Sequence, residues 1–94
     1  MKMDVKHLKE ENKFFVVLEG FEASLNYKLV NEKSLEIVNT MVPNRLRGKG
    51  IGKELILSVF NYAKTNNLSI IPSCPFAVKF IEMNRQFSIF CQQA

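Results

Sequence analysis

The clearest hydrophobic pattern in this chain is a strict alternation that begins at Phe21. Apolar residues occupy every second position from Phe21 to Leu29, and polar residues fill the positions between them. Because successive side chains of a strand point to opposite faces, this pattern predicts a half-buried strand. A continuous apolar run from Phe14 to Leu18 predicts a buried strand before it, with a turn at Gly20 between the two.

Two further strands are predicted on either side of this pair. Val5 to Leu8 is a short candidate strand, and Leu35 to Val42 follows a short turn at residues 31–33, so it should form an antiparallel hairpin with the preceding strand. Pro43 ends the later strand because proline cannot donate to a ladder. Its alternation places Leu35, Ile37, Asn39 and Met41 on one face and Glu36, Val38, Thr40 and Val42 on the other.

The hydrophobic period changes at Ile51. Apolar residues then recur every three or four positions to about Asn66, which predicts an amphipathic helix with a left-handed cap at residues 66–67. Leu68 to Ser73 reads as a short fifth strand, and Pro75 suits the first position of a second helix that runs to about Asn84. The buried stripe predicted for this second helix is Phe76, Ala77, Phe80 and Ile81.

This order of elements predicts an α/β fold with a mixed sheet. Antiparallel strands come first, and a β-α-β-α unit follows whose two strands must be parallel. Ligands in such sheets bind at the carboxyl ends of the parallel strands, where Val42 and Cys74 lie. With 94 residues, the chain is expected to form one domain over residues 1–94.

Composition narrows the classes of partner. The net charge of +4 and the pI near 9.2 favour an anionic ligand. The two cysteines form neither a metal-ligand spacing nor a disulfide framework, so no metal site is expected. No apolar run is long enough to span a membrane and no signal peptide opens the chain, so we expect no membrane partner and a cytoplasmic location.

Three aromatic or titratable residues have ordinary structural explanations. His7 lies in a charged N-terminal segment, which predicts a solvated surface residue. Tyr27 and Tyr62 belong to the apolar faces of the predicted strand and helix, so core packing accounts for both.

The candidate chemistry lies in the segment between the strand that ends at Val42 and the helix that begins at Ile51. We call residues 45–53 the glycine loop. Glycine lets a backbone approach a ligand closely, and a helix N-terminus presents free N–H groups and the positive end of a dipole. Together they predict a site for a phosphate-bearing ligand. Three glycines and four cations alternate in this loop: Arg45, Arg47, Gly48, Lys49, Gly50, Gly52 and Lys53.

Two common glycine motifs do not fit this loop. A P-loop needs a longer gap between Gly48 and Gly52, with Ser or Thr after the lysine, and a dinucleotide fingerprint needs two residues before its last glycine. The pattern Arg-x-x-Gly-x-Gly from Arg47 to Gly52 instead resembles the acyl-CoA loop of the GNAT acetyltransferase superfamily.

The resemblance is closest to minimal GNAT-like proteins of about this length. They carry a V-P-x-x-x-R-G-K-G-I-G loop, a helix that ends near Tyr-Ala and a P-x-C-P/S-F segment. The corresponding residues here are Val42 to Gly52, Tyr62 with Ala63, and Pro72 to Phe76. The match covers about residues 14 to 84, in order and at the family's spacing.

This resemblance implies acetyl-CoA, or CoA itself, as the cofactor. Backbone N–H groups from Arg47 through Gly52 would hold the diphosphate. The cations Arg45, Lys49 and Lys53 would meet the 3′-phosphate. Pantetheine would bond to the strand edge at Met41 and Val42, and the thioester would lie in a gap between splayed parallel strands. The implied cofactor-binding residues are Met41, Val42, Arg45, Arg47, Gly48, Lys49, Gly50, Ile51, Gly52, Lys53, Cys74 and Phe76.

Cys74 is the first candidate for catalysis. It precedes Pro75, which predicts a place at a helix N-cap, where the pKa of a thiol falls. A thiolate there could accept an acyl group or deprotonate an incoming amine, whereas a small buried hydrophobe is the structural alternative. With Asn39 and Thr40 as positioning groups, the first hypothesis is an N-acetyltransferase that acts on an unidentified amine.

Departures from the family pattern keep a second hypothesis open. Asn39 stands where the minimal proteins usually have histidine, and asparagine cannot act as a base near neutral pH. The chain could therefore be an acyl-CoA-binding module with little or no catalysis. Nucleic-acid binding is the third interpretation, but the loop lacks interleaved aromatic residues, so we predict no nucleic-acid partner. We also expect a monomer or a weak dimer.

Overall fold

A computed structural model describes residues 4–91, in which two helices accompany a five-stranded sheet. Residues 1–3 and 92–94 of the predicted 1–94 domain lie outside the described part. Every predicted strand and helix is present, with ends within two residues of those predicted. The elements are β1 (Lys6–Leu8), β2 (Lys13–Leu18), β3 (Phe21–Asn31), β4 (Ser34–Met41), α1 (Ile51–Thr65), β5 (Ser69–Pro72) and α2 (Pro75–Met83), with 3₁₀ turns at Lys9–Glu11, Asn44–Leu46 and Arg85–Phe90.

The sheet has the sequential order β1-β2-β3-β4-β5. The first three pairs are antiparallel and β4 pairs with β5 in parallel, which confirms the predicted mixed α/β sheet. The turn between β2 and β3 is formed by Glu19 and Gly20, whose φ angles of 52° and 80° are both positive. Two such residues match the right-handed twist of the strands they join.

A β-bulge in β4 corrects one prediction. Asn26 pairs with Asn39 but Tyr27 pairs with Ile37, so Val38 is an extra residue in β4. An extra residue reverses the alternation beyond it, because the side-chain period of a strand is two. The face assignment of residues 39–42 was therefore wrong. Thr40 shares the core face with Leu35 and Ile37, whereas Asn39 and Met41 lie on the opposite face, which we call the outer face.

The core lies between the inner face of the sheet and α1. The helix buries its apolar stripe, and its end follows the prediction: Asn67 has a φ of 56° and the amide of Leu68 donates to the carbonyl of Ala63 at 2.8 Å. The α1 side chains in the core are Ile51, Leu55, Ile56, Val59, Phe60 and Ala63, and the fully buried strand residues include Leu25, Leu35 and Ile37.

The predicted stripe of α2 is only partly correct. Ala77 and Phe80 are buried, but Ile81 is half-buried and Phe76 is 37% exposed. Phe76 lies in the first turn of α2, where its ring contacts Gly52 at the start of α1 instead of entering the core. Neither helix within residues 4–91 is long and apolar enough to cross a bilayer.

His7 is part of an aromatic cluster, so its prediction as a solvated surface residue was wrong. Its ring stacks on Phe14 with the centroids 4.0 Å apart, and its Nε2 shares a 2.5 Å hydrogen bond with the hydroxyl of Tyr27. Tyr62 of α1 meets the ring edge-on at 4.6 Å. The reason is pairing: His7 lies opposite Phe14 in the ladder, and Phe14 belongs to the core face.

We expect this cluster to make stability depend on pH. Burial, with a smaller contribution from the charge of Lys9, lowers the pKa of His7 below its ordinary 6.5. The unfolded chain then binds more protons than the folded one, so the free energy of unfolding falls as pH drops through about 6.5. Urea denaturation between about pH 7.5 and pH 5.5 should give a slope of the unfolding free energy against pH in the wild type, and a smaller slope in His7→Gln. Equal slopes in the two proteins would contradict the assignment.

Candidate functional site

The candidate site lies where the parallel pairing of β4 and β5 stops. Ile37 and Pro72 are the last pair, and the carbonyl of Ile37 also accepts hydrogen bonds from the amides of Ser73 and Cys74 at 3.3 and 3.1 Å. Beyond Ile37, β4 continues to Met41, whereas the chain that leaves β5 turns into α2. We call the opening between this part of β4 and Cys74 the β4–β5 gap. It is the separation of parallel strands that the family resemblance implied.

Cys74 occupies the N-cap of α2, as predicted from the proline that follows it. The residue is only 6% exposed, and its thiol donates a hydrogen bond to Oγ1 of Thr40 at 3.6 Å. The bulge makes this contact possible, because it turns Thr40 toward the helices. The same bulge turns Asn39 to the outer face, so the structure brings only one of the two predicted positioning residues to Cys74.

The environment of Cys74 lowers the pKa of its thiol. Burial raises the pKa of the thiol, but its hydrogen bonding with the side chain of Thr40 and with the backbone of Ala77 and Phe76 lowers the pKa further than burial raises it. The net effect is a pKa below the ordinary value for cysteine. A thiolate fraction above the usual one is what proton transfer or nucleophilic attack requires.

The glycine loop presents a run of free backbone donors. Within residues 4–91, the amides of Gly48 through Gly52 have no hydrogen-bond acceptor. Gly48 and Gly50 have φ angles of 82° and 77°, a left-handed conformation that glycine adopts without strain. These amides precede or begin α1, so the helix dipole adds to their attraction for an anion.

Arg47 has a different role from the one predicted for its backbone. Its amide already donates to the carbonyl of Asn44 at 3.2 Å, so the row of free amides begins at Gly48. Its side-chain Nε donates to the carbonyl of Val42 at 3.3 Å and ties the loop to the end of β4. A local 3₁₀ turn therefore uses the Arg47 amide, which the resemblance had included among the groups that hold the diphosphate.

A cavity of about 300 Å³ joins the glycine loop to the β4–β5 gap. Phe76 closes one side of it and lies against the start of α1. A Cβ built on Gly52 would lie 2.5 Å from Cζ of the Phe76 ring, so this position accepts only glycine without movement of the ring. The residues that line the cavity are Thr40, Val42, Leu46, Arg47, Gly48, Ile51 and Phe76.

The loop cations are not equivalent in the structure. The ammonium of Lys49 forms an ion pair with Glu19 at 3.1 Å, and the guanidinium of Arg45 lies 6.0 Å from the ring centroid of Phe21. Lys53, by contrast, has no ion pair within the described part of the chain. Met41, also predicted at the site, is 58% exposed with its side chain on the outer face, so only its backbone borders the gap.

Two residues near the gap escaped the sequence analysis. Glu36 lies on the outer face, where its carboxylate accepts a hydrogen bond from the hydroxyl of Ser73 and lies 3.8 Å from the ammonium of Lys28. The alternation of β4 could have indicated Glu36, because it predicts the Glu36 side chain on the face of the sheet that is opposite the core. Nothing in the local pattern indicated Ser73, whose position depends on the strand pairing.

The chain is similar in sequence to one family model and to several known proteins. The sequence model of the family described as GCN5-related N-acetyl-transferase matches residues 13–90. Protein NATD1 of Xenopus tropicalis is 29% identical over 82 residues, which make up 85% of this chain and 75% of that protein. Protein NATD1 of Homo sapiens is 28% identical over 82 residues, which make up 85% of this chain and 73% of that protein.

A solved structure has the same architecture. A GCN5-like protein from Staphylococcus aureus, determined by NMR in solution, superposes with a TM-score of 0.78 at 32% sequence identity. The superposition covers 98% of this chain and 90% of that chain. The likeness therefore includes the sheet, the glycine loop and the segment around Cys74.

Proposed function

Because the chain belongs to the GCN5-related N-acetyltransferase family, we propose that it binds acetyl-CoA and transfers the acetyl group to an amine. The observation that carries the proposal is the row of free amides from Gly48 through Gly52 beside a cavity lined by Thr40, whose hydroxyl oxygen the Cys74 thiol contacts. Such amides at a helix N-terminus suit a diphosphate.

The residues present fit acetyl-CoA at three points. The free amides would hold the diphosphate, and the apolar walls of the cavity at Leu46, Ile51 and Phe76 would cover an extended pantetheine chain. The backbone of β4 at Met41 and Val42, beyond its last pair with β5, would bond to the amides of that chain. These contacts would orient the thioester toward the β4–β5 gap, and orientation supplies much of the rate in such reactions.

Cys74 is the group that we propose to act chemically. Bound acetyl-CoA supplies a thioester carbonyl that an amine can attack. The Cys74 thiolate, which the lowered pKa of the thiol makes more abundant, can take the proton from that amine as it attacks and CoA leaves as a thiol. Alternatively, the thiolate attacks the carbonyl itself and CoA leaves as its thiolate, after which the amine takes the acetyl group from Cys74 and restores the free thiol. Thr40 acts as a positioning residue, because its uncharged hydroxyl holds the Cys74 sulfur in place by a hydrogen bond.

A second candidate function is acyl-CoA binding without significant turnover. Two observations favour it: Asn39 lies on the outer face and cannot take up a proton, and Cys74 is only 6% exposed. This candidate keeps every contact of the glycine loop and removes the chemical step. Release of the free thiol of CoA in the presence of amines separates the two functions.

Calorimetric titration with CoA tests the proposal. We expect saturable one-to-one binding with a Kd below about 1 mM, the usual upper range for such ligands. Pantetheine, which lacks the diphosphate and the phosphorylated adenosine beyond it, is the control ligand and should bind at least about tenfold more weakly, because the free amides then stay unfilled. A protein that does not bind CoA at millimolar concentration would exclude both the transferase and the binding module.

If CoA binds, a panel of amines with acetyl-CoA identifies the acceptor class. Primary alkylamines, polyamines and lysine-containing peptides should be compared at equal concentration, with thiol release as the readout. Turnover of any of them above the rate without protein supports the transferase. Binding with no turnover of the whole panel would favour the binding module instead.

A further inference from the structure

An apolar groove lies between the second half of α1 and the 3₁₀ turn at Arg85–Phe90. Its volume is about 420 Å³, in the range of pockets that hold small ligands, and it shares no lining residue with the cavity beside the glycine loop. We call it the phenylalanine groove. Its apolar lining residues are Leu57, Phe60, Phe87, Ile89 and Phe90, and its polar lining residues are Asn61, Lys64 and Gln86.

Two apolar side chains of this groove are not used by the core. Leu57 lies outside the buried stripe of α1 and is only half-buried. Ile89 is 80% exposed, more than any other large apolar side chain in the part of the chain that the structure describes. Isoleucine is usually among the most buried residues, and apolar surface left exposed along a groove is typical of a binding site.

Phenylalanine rings that pack on one another form the floor of the groove. The centroid of the Phe60 ring lies 5.0 Å from that of Phe87 and 6.0 Å from that of Phe90. Phe60 is only 2% exposed, so the floor belongs to the folded core, and ring pairs at such distances stabilise each other beyond the area they bury. A ligand would therefore meet a preformed surface and would not have to order the protein on binding.

A single positive charge lies among the lining residues of the groove. The ammonium of Lys64 has no ion pair within the described residues 4–91, and none of the lining residues is acidic. The side-chain amides of Asn61 and Gln86 line the same groove as uncharged hydrogen-bonding groups. One unpaired ammonium with neutral donors near it favours a ligand that carries one carboxylate.

The positions of the charge and of the apolar side chains define the shape of this ligand. Leu57 and Lys64 are seven residues apart on one face of α1, which is about 10 Å along the helix axis. A carboxylate at Lys64 would thus belong to an apolar body that extends over the rings toward Leu57. A medium-chain fatty carboxylate has this construction, with one charge at the end of an extended hydrocarbon chain.

We propose that the phenylalanine groove binds a free medium-chain carboxylate, with Lys64 as its counter-ion. Leu57, Phe87 and Ile89 cover the hydrocarbon chain. The site uses no residue of the glycine loop and neither Cys74 nor Thr40, so it does not depend on the proposed acetyl transfer.

Calorimetric titration of the full chain with sodium octanoate tests this site. We expect saturable one-to-one binding with a Kd below about 1 mM. Butanoate has the same charge and four fewer methylene groups, so it should bind at least about 30-fold more weakly, because each buried methylene contributes severalfold to affinity. Octylamine has the same chain and the opposite charge, so it should bind at least about tenfold more weakly than octanoate.

Two substitutions test the placement of the ligand. Ile89→Glu brings a carboxylate to an exposed position of the groove, so thermal denaturation should show an unchanged fold while octanoate affinity falls at least about tenfold. Val30→Glu is the matched control, because Val30 is also an exposed apolar residue but lies outside the groove, and it should keep the wild-type Kd. Lys64→Gln should weaken octanoate binding about threefold and leave octylamine binding no weaker than in the wild type.

Other results would overturn the proposal. Wild-type octanoate affinity in Ile89→Glu would place the ligand elsewhere on the protein, and equal affinities for octanoate and octylamine would remove the recognition of a carboxylate. No binding of octanoate by the wild type up to about 10 mM would exclude the ligand class. A dimer in sedimentation that Ile89→Glu dissociates, together with no octanoate binding, would show instead that a second copy of the chain covers the groove.

Discussion

Replacement of Gly50 with valine is expected to weaken CoA binding at least about tenfold. Gly50 has a φ of 77°, and a branched side chain in this left-handed region costs roughly 1–2 kcal/mol or more. The space around the position is open, since a built Cβ meets nothing within 4 Å. The strain therefore comes from the backbone, and the loop can relieve it only by turning the amides of residues 50–52 away from their present direction.

Gly20→Val is the matched control for this substitution. Gly20 has a φ of 80° and equally open surroundings, so the backbone strain and the loss of stability should be similar. Its turn contributes no amide to the proposed diphosphate site, and the neighbouring Glu19–Lys49 ion pair is half-exposed and worth little. Calorimetry on both variants should show weak CoA binding for Gly50→Val alone. Wild-type affinity in Gly50→Val would contradict the role of the free amides.

Cys74→Ala is expected to lower kcat for acetyl transfer at least about 100-fold, the usual contribution of a positioned acid–base or nucleophilic group. The Kd for CoA should change less than about threefold, because the diphosphate contacts lie in the glycine loop. A loss in kcat with little loss in binding is what a chemical participant produces. Thiol release with the best amine of the panel gives kcat, and calorimetry gives the Kd.

Cys91→Ala is the control for this second prediction. Cys91 is also a partly buried free cysteine, but its thiol contacts the carbonyl of Phe87 and burial raises its pKa. It should retain wild-type kcat. Mass spectrometry after incubation with acetyl-CoA and no amine separates the two roles of Cys74. An acetyl group that forms on this residue and is lost when amine is added indicates a nucleophile, whereas an unmodified Cys74 under the same conditions indicates a base. Wild-type kcat in Cys74→Ala would remove Cys74 from the mechanism.

The elements that sequence reasoning identified correctly are those with a local physical cause. β3 follows from the alternation of apolar and polar residues, and α1 follows from a change of period to three or four. Cys74 at a helix N-cap follows from the proline after it, and the left-handed cap at Asn67 follows from an asparagine pair. Each of these signals is complete within a few residues of the chain.

The errors came from contacts between distant segments. The bulge at Val38 depends on the register between β3 and β4, so the alternation of β4 alone placed Asn39 and Met41 on the wrong face. His7 looked solvated beside its charged neighbours, but the pairing of β1 with β2 placed it on Phe14. Strand register is set by the partner strand, and one strand's sequence does not contain it.

The same division applies to the candidate site. The sequence by itself determined the glycine loop, the helix that begins behind it and the cysteine at the start of the next helix, because glycine, proline and hydrophobic period act locally. Only the tertiary structure decided that Thr40 meets Cys74, that Glu19 pairs with Lys49, and that the Phe76 ring contacts Gly52. These pairs join residues far apart in the chain, and the packing of the helices on the sheet is what brings their side chains together.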